Sequence, residues 1–404
     1  MDQMSYQLGK HAIQGLFSKT GLSPEIVERV ILGTVISNLK TSNVAREAAI
    51  AAGIPNKAAC HTVAQACISA NRAISTACLE IAAGQADVII AGGVDNTSDT
   101  PITYKKEMQK KLFNAQKLKT TADFLKFATT LRPADFTPER PQVAEFATNR
   151  VMGEDCDIMA ARFEVSREEQ DEFAVRSHHL AAQAWEEGHL TKEVATVAVS
   201  PYFNLIEKDD GVRGDSSLEK VAKLRPAFDK KFGTLTAANS SFLSDGAAVT
   251  LLMSENKAKE LGLTPKAEIV DFVFTGQDLE TELLLGPTYA VSKLFERNNI
   301  GFDDVDVIEF HEAFAGQILA NLKCLASDEF AQEKLGRDKA VGVVPMEKFN
   351  RWGGSLSIGH PFGATGARLL TTTANRLIHE RGTYGVLAAC AAGAHGHAML
   401  IKNY

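Results

Sequence analysis

Two stretches decide the fold: Gly21–Val35, GLSPEIVERVILGTV, and Ala290–Phe310, AVSKLFERNNIGFDDVDVIEF. The second reads as a helix, a turn, an acidic lead-in and an apolar strand. The first, entered from a helical run over Gly9–Lys19, repeats that order. Both orders continue alike. A loop with a cysteine (HTVAQACISAN, 61–71), a helix and the strand ADVIIAGGV (86–94) follow the first stretch. A Gly-rich loop (GGSLSIGHPFGATG, 353–366), a helix to about Glu380 and the strand YGVLAACAAG (384–393) follow the second. Strands alternating with helices predict largely parallel α/β units, here in two copies. The copies differ at one point. The second opens with a strand, KAEIVDFVFTG (266–276), that has no counterpart ahead of Gly9. The expectation is a first half lacking its opening strand, lost upstream together with any targeting segment.

Between the copies, Asp99 to about Phe232 is charge-rich and has Pro-rich punctuation (TLRPADFTPERPQ). It also holds a capping-box start, Ser166-Arg167-Glu168-Glu169, ahead of QDEFAVRSHHLAAQAWEEG. The expected domains are therefore 1–98 with 233–256, an inserted loop domain at 99–232, and 257–404.

The chain has 404 residues, with 43 Lys+Arg against 50 Asp+Glu, a net charge of −7. An acidic balance of this kind argues against a dedicated nucleic-acid binder. Six cysteines are too few for a disulfide scaffold, and Met1–Lys10 lacks an apolar signal core. The thiols are thus expected to be reduced. The longest run without Asp, Glu, Lys or Arg near the end, Thr383–Ile401, holds two histidines and three glycines and reads as buried strands.

Four segments place reactive residues at strand ends, where open α/β sheets bind ligands. Cys67 stands just before a helical run, where free N–H groups favour thiolate; the bland alternative is a small buried hydrophobe. His360 lies among five glycines, with Pro361 suited to a first helical turn. Cys390 ends a buried strand and by itself reads as core. His311, in Phe310-His311-Glu312-Ala313-Phe314, is either a proton-transfer residue or a cap. No C-x2–4-C pair occurs, so no metal site is expected. No G-x-G-x-x-G or phosphate-loop motif and no serine elbow is present.

Taken together, two cysteines and two histidines in this order resemble the thiolase family over nearly the whole chain. The resemblance rests on SNVAREAA (42–49), HTVAQACISAN (61–71), AGGVDNTSD (91–99), the stretch around Asn239 and Asp245, FHEAFAGQILAN (310–321) and KFNRWGGSLSIGHPFGATGARLL (348–370). It is strongest with the mitochondrial branch that works beside a hydratase/dehydrogenase subunit. The family implies duplicated α/β domains in five αβαβα layers. It also implies CoA-dependent thiolysis of medium or long 3-ketoacyl-CoA in fatty-acid β-oxidation, the alternatives being a condensing thiolase or an assembly subunit. By that resemblance Cys67 becomes acylated and His360 takes its proton. Cys390 exchanges a proton with the α-carbon, and His311 helps an oxyanion site. The N–H groups of Cys67 and Ala392 serve as oxyanion donors. Arg213, Ser241 and Met152 line the CoA and substrate path. Coenzyme A is a co-substrate, and no bound cofactor is implied. Partners so implied are acyl-CoA, a second copy in a homodimer or dimer of dimers, and the hydratase/dehydrogenase subunit. The implied location is the mitochondrial matrix or its inner membrane, the alternative being cytoplasmic.

Three departures stand out. His311 replaces the commoner Asn, Cys390-Ala391-Ala392 replaces Cys-x-Gly, and the missing opening strand is one the family reading places centrally in its sheet. Finally, Lys105–Arg132 carries eight basic residues against Glu107 and Asp123. Its apolar residues recur at helical spacing, which predicts two short basic amphipathic helices. Lys105, Lys106, Lys110 and Lys111 are the candidates there for docking an anionic membrane or a partner subunit.

Overall fold

The computed structural model describes residues 3–139 and 144–404; the Arg140-Pro141-Gln142 end of the Pro-rich stretch lies outside them. The first half runs α1 (Ser5–Thr20), β1 (Arg29–Gly33), α2 (Val44–Ala52), β2 (Ala59–Val63), α3 (Ser69–Ala82) and β3 (Val88–Asp95). Helices α4 (Lys106–Ala115), α5 (Thr121–Thr130), α6 (Met152–Arg162) and α7 (Arg167–Glu186) precede β4 (Gly246–Met253). The second half runs β5 (Ala267–Gly276), α8 (Gly286–Asn298), β6 (Val307–Phe310), α9 (Ala315–Leu325), α10 (Ser355–Ile358), α11 (Thr365–Glu380), β7 (Tyr384–Ala391) and β8 (His395–Asn403).

The sheets have the orders β2-β1-β3-β4 and β6-β7-β8-β5. In the first, β1 is parallel to β2 and β3 (Arg29 opposite Ala59 and Ile89), and β4 runs antiparallel to β3. In the second, β6 and β7 are parallel, while β8 is antiparallel to both β7 and β5. So β1, β3 and β4 match β6, β7 and β8. The strand β5 has no counterpart beside β4 among the described residues. One expectation is corrected here: among the described residues β5 pairs only with β8, so this kind of strand lies at the edge of its sheet and not at its centre.

Alternation along each strand builds the layers. On β1, Val30 and Leu32 face a core shared with α1 and α2 (Ile13, Val44, Ala48), while Ile31 faces the opposite way. On β7, Val386 and Ala388 pack with Val291 and Leu294 of α8 and Ile318 of α9. Leu387 and Ala389 face the middle. That middle core joins Ile31 and Ile89 to Ile74 of α3, Leu370 and Leu377 of α11, and Met399. The succession α1/α2, sheet, α3/α11, sheet, α8/α9 is the five-layer arrangement expected. Both sheets are covered on two faces, which is why β1, β3 and β7 are mostly apolar along their length. The two central helices touch where a Cβ on Gly366 would strike Asn71.

The unit that separates by contact, 100–144, is smaller than the 99–232 insertion expected from sequence. It holds α4, α5 and a short pairing of Thr103–Tyr104 with Pro138–Glu139. Thr120 caps α5, its hydroxyl accepting from Asp123 N while the Asp123 carboxylate accepts from Thr120 N, and the Lys111 amino group binds Asp135 and Thr130 O, both at 2.6 Å. Residues 145–232 group with the larger unit. Within them α7 begins at the expected capping box, Ser166 Oγ accepting from Glu169 N at 3.1 Å. Arg176 of α7 donates to Phe349 O at 2.6 Å.

One buried ion pair fastens the second half. Arg376 of α11 is bonded to Glu309 of β6 at 2.7 Å, and both side chains are fully buried. The same guanidinium reaches Glu380 (2.9 Å) and Lys348 O (2.9 Å). Removing one member strands the other charge, which costs about 3–5 kcal/mol. Arg376→Met is expected to destabilise the chain by about that much in denaturant unfolding, and Glu309→Leu in addition to restore most of it. A single variant within about 0.5 kcal/mol of the parent would contradict the assignment.

Candidate active site

Cys67 sits in the turn between β2 and α3. Ala66 before it adopts φ 45°, a strained left-handed value for a residue with a Cβ. Ser69 holds that turn, its Oγ accepting from Gln65 N (2.8 Å) and donating to Ala66 O (2.7 Å). No side chain caps α3, and its first N–H, that of Ser69, donates to Ala66 O at 3.0 Å. The expected thiolate does not follow. Cys67 is only partly exposed, and burial pushes its thiol up to about 12, outweighing the Ala392 N–H that points at the sulfur. The negative charge of Asp95 adds to the rise.

Ala392 follows β7 directly, in the turn to β8 where Gly393 (φ 79°) and Ala394 (φ 53°) reverse the chain. The Gly393 N–H donates to a Glu145 carboxylate oxygen at 2.7 Å. Cys390, two residues earlier, is buried beside Cys156, Met159 and Phe314. Its thiol is also pushed up, chiefly by burial and then by the nearby Cys67.

His360 does not start a helix as expected. Pro361 opens a turn, accepting from Ala364 N (2.8 Å), and α11 begins only at Thr365. The backbone N–H of His360 donates to Ser244 Oγ (3.0 Å). Its Nδ1 lies 2.7 Å from Thr365 Oγ1, and that hydroxyl donates onward to Pro361 O (3.3 Å). The Thr365 hydroxyl has one proton, so with it used on Pro361 the histidine proton sits on Nδ1. His360 Nε2 is left as a lone pair without a partner among the described residues. Burial, then the charge of Arg368, lowers its pKa to about 3. The imidazole is therefore neutral at physiological pH.

His311 ends β6, its N–H donating to Ala388 O at 2.8 Å. Its ring lies 4.0 Å from that of His360, at 41°. Nδ1 is 2.9 Å from Ser355 Oγ, while Nε2 has no partner among the described residues. Burial, then His360 and Arg368, holds its pKa well below the usual imidazole range. Beside it Glu312 is a buried carboxylate accepting from Ser177 Oγ and Asn350 Nδ2, both at 2.7 Å. Burial raises its pKa.

A cleft of about 580 Å³ is lined by Arg213, His178, Lys220, Phe242 and Leu356. Arg213 is held by its N–H to His178 Nδ1 (3.1 Å) and by its guanidinium to Asp210 O (2.6 Å). Ser241 precedes Phe242 and donates its N–H to Ala313 O at 2.9 Å. Met152 packs at the start of α6 on the core that contains Cys390. Among the described residues no three His, Cys, Asp or Glu side chains group as metal donors. Lys105, Lys106 and Lys110 are exposed on α4 and its approach, whereas Lys111 is tied to Asp135.

The sequence reading missed Ser355, Thr365, Ser244 and Glu145. Ser355 and Thr365 flank His360 in the Gly-rich loop and could have been found as hydroxyls at hydrogen-bonding range from an imidazole. Nothing local marked Ser244 or Glu145.

Residues 1–256 match the family described as "Thiolase, N-terminal domain", and 263–403 match "Thiolase, C-terminal domain". The chain is 51% identical over 403 residues to the mitochondrial trifunctional enzyme subunit beta of Bos taurus, covering 100% of this chain and 84% of the relative. It is 49% identical over 403 residues to a probable 3-ketoacyl-CoA thiolase of Caenorhabditis elegans, covering 100% and 90%. The crystal structure of the Bacillus anthracis acetyl-CoA acetyltransferase superposes with a TM-score of 0.82 at 32% identity, covering 99% of this chain and 93% of that one. With both domains matched and the duplicated five-layer fold in place, the chain belongs to the thiolase family.

Proposed function

We propose that the chain cleaves 3-ketoacyl-CoA with coenzyme A, giving acetyl-CoA and an acyl-CoA shortened by two carbons, in fatty-acid β-oxidation. The observation that carries this reading is the meeting of Cys67, the Ala392 N–H and Cys390, with the unprotonated Nε2 of His360 as base. His360 Nε2 takes the Cys67 proton as sulfur attacks the 3-keto carbon. The N–H groups of Cys67 and Ala392, with His311, stabilise oxyanions. The C2–C3 bond breaks, and the Cys390 thiol protonates C2 of the leaving enolate. An acyl thioester stays on Cys67. Coenzyme A gives its proton to the Cys390 thiolate and attacks that thioester. His360 returns its proton to Cys67 as the acyl-CoA departs. Arg213, Ser241 and Met152 place the CoA and acyl arms. The cleft at Arg213 and the names of the trifunctional beta subunits and the C. elegans thiolase support the reading. Condensation, the reverse reaction, is the second reading, favoured by the fold shared with an acetyl-CoA acetyltransferase.

The likeness to the trifunctional beta subunits further supports a mitochondrial location and assembly with a hydratase/dehydrogenase subunit, as a homodimer or dimer of dimers. Docking through the exposed lysines of α4, to that subunit or to an anionic membrane, belongs to the same proposal. No described helix is long and apolar enough to cross a membrane.

The function is tested by following CoA-dependent loss of 3-ketoacyl-CoA absorbance with short and long chains. Cys390→Ala is expected to lower thiolysis by about 10²–10⁴-fold while acyl transfer to Cys67 partly survives. Near-normal thiolysis by that variant would contradict the assignment.

The pH dependence follows from His360. Its base form is lost only as pH falls through its pKa, here about 3 rather than the ordinary 6.5. Acyl transfer to Cys67 should therefore show no imidazole inflection between about pH 5.5 and 7.5. An acid limb centred near pH 6.5 would show a solvent-like His360 and contradict the geometry.

Each basic residue near an anionic surface contributes about 1 kcal/mol. Replacing Lys105, Lys106 and Lys110 by Glu should abolish salt-sensitive binding to cardiolipin-containing vesicles and leave thiolysis of a soluble substrate unchanged. Lys111 is left intact because its charge holds Asp135. Equal vesicle binding by both proteins would remove the membrane from the proposal.

A further inference from the structure

We infer that Ser355 and Arg368 are positioning residues that fix the His311 proton on Nε2, so that His311 faces the reacting atoms as a hydrogen-bond donor. The inference rests on the reading of His311 as part of the oxyanion site.

The argument is a count of protons. Ser355 is wholly buried at the start of α10. Its Oγ has two side-chain neighbours: Arg368 Nη2 at 3.0 Å and His311 Nδ1 at 2.9 Å. A guanidinium only donates, so Arg368 occupies a lone pair of Ser355 Oγ. The single proton of the hydroxyl is then left for Nδ1, the acceptor within reach. If Nδ1 carried the imidazole proton instead, the Ser355 O–H would be a buried donor facing two other donors. Nδ1 is therefore the acceptor, and the neutral ring carries its proton on Nε2.

Arg368 projects from α11 with the Glu309 carboxylate facing it, Oε2 lying 4.0 Å from Nη1, and Glu309 is in turn bonded to Arg376.

The outcome is a division of labour between two histidines whose rings lie 4.0 Å apart. His360 donates its Nδ1–H to Thr365 Oγ1 and presents Nε2 as an acceptor. His311 accepts at Nδ1 from the Ser355 hydroxyl and presents Nε2–H as a donor. One ring suits removal of a thiol proton and the other suits a developing oxyanion. The residue type is the same, and the hydroxyl beside each ring decides what it does.

The test is nitrogen NMR of the full-length protein labelled at histidine, with the His311→Asn variant assigning the resonance. The parent protein is expected to show neutral His311 protonated on Nε2. Ser355→Ala should populate the Nδ1–H form and lower kcat about tenfold, with KM within about twofold. Ser355→Thr should restore both, and Arg368→Gln should mix the tautomers by freeing the hydroxyl to turn. A parent His311 protonated on Nδ1, or a Ser355→Ala tautomer identical to the parent's, would overturn the inference. A shifted tautomer with unchanged kcat would uphold the control by Ser355 and contradict the oxyanion role of His311.

Discussion

The buried carboxylate of Asp95 closes the first half onto the second. It accepts from Thr34 Oγ1 (3.1 Å), Val35 N (3.0 Å) and Ile36 N (2.7 Å) in the first half, and from Gly363 N (2.6 Å) in the second. Burial raises its pKa, and these donors oppose the rise. Gly363 belongs to the loop that carries His360, so this one contact registers that loop of the second half against the first half. A side chain at Gly93 would strike the Gly363 backbone, which is why the approach can be so close. The contact also acts against the thiolate, because the Asp95 charge raises the Cys67 pKa.

That opposition explains the character of the site. Burial holds Cys67, Cys390, His311 and His360 all in their neutral forms. No ion pair waits between Cys67 and His360. In the proposed reaction charge is made only as the proton moves and sulfur attacks, with the Ala392 N–H already directed at the Cys67 sulfur. Preorganised donors in a poorly solvated space stabilise such charge without reorganising. The cost is local strain, seen at Ala66 before Cys67 and at Ala394 in the turn after Ala392.

Much of this was legible in the chain. The repeated helix–turn–strand order gave the duplicated fold, because strand and helix periodicity is a local property. Cys67, His311, His360 and Cys390 stood out because each reads in sequence as the end of a strand; the structure keeps His311 and Cys390 at the ends of β6 and β7 and puts Cys67 and His360 in turns ahead of α3 and α11. The hydrogen-bond partners that settle proton positions were not legible. Ser244 is 116 positions from His360, and Glu145 is 248 from Gly393, so only the tertiary fold brings them together. The direction of the Cys67 shift was misread for a related reason. A helix start is visible in sequence, but the density of packing over it is not. Likewise the edge position of β5 follows from sheet order, which shows only once β5 is seen beside β8.

The central claim is that the thiol of the first half is the nucleophile and the thiol of the second is the acid. Peptide mass mapping after brief incubation with acyl-CoA, quenched in acid, tests it most directly. The account predicts the acyl group on the peptide containing Cys67, with Cys390 unmodified. Acyl label on Cys390 with Cys67 free would contradict it.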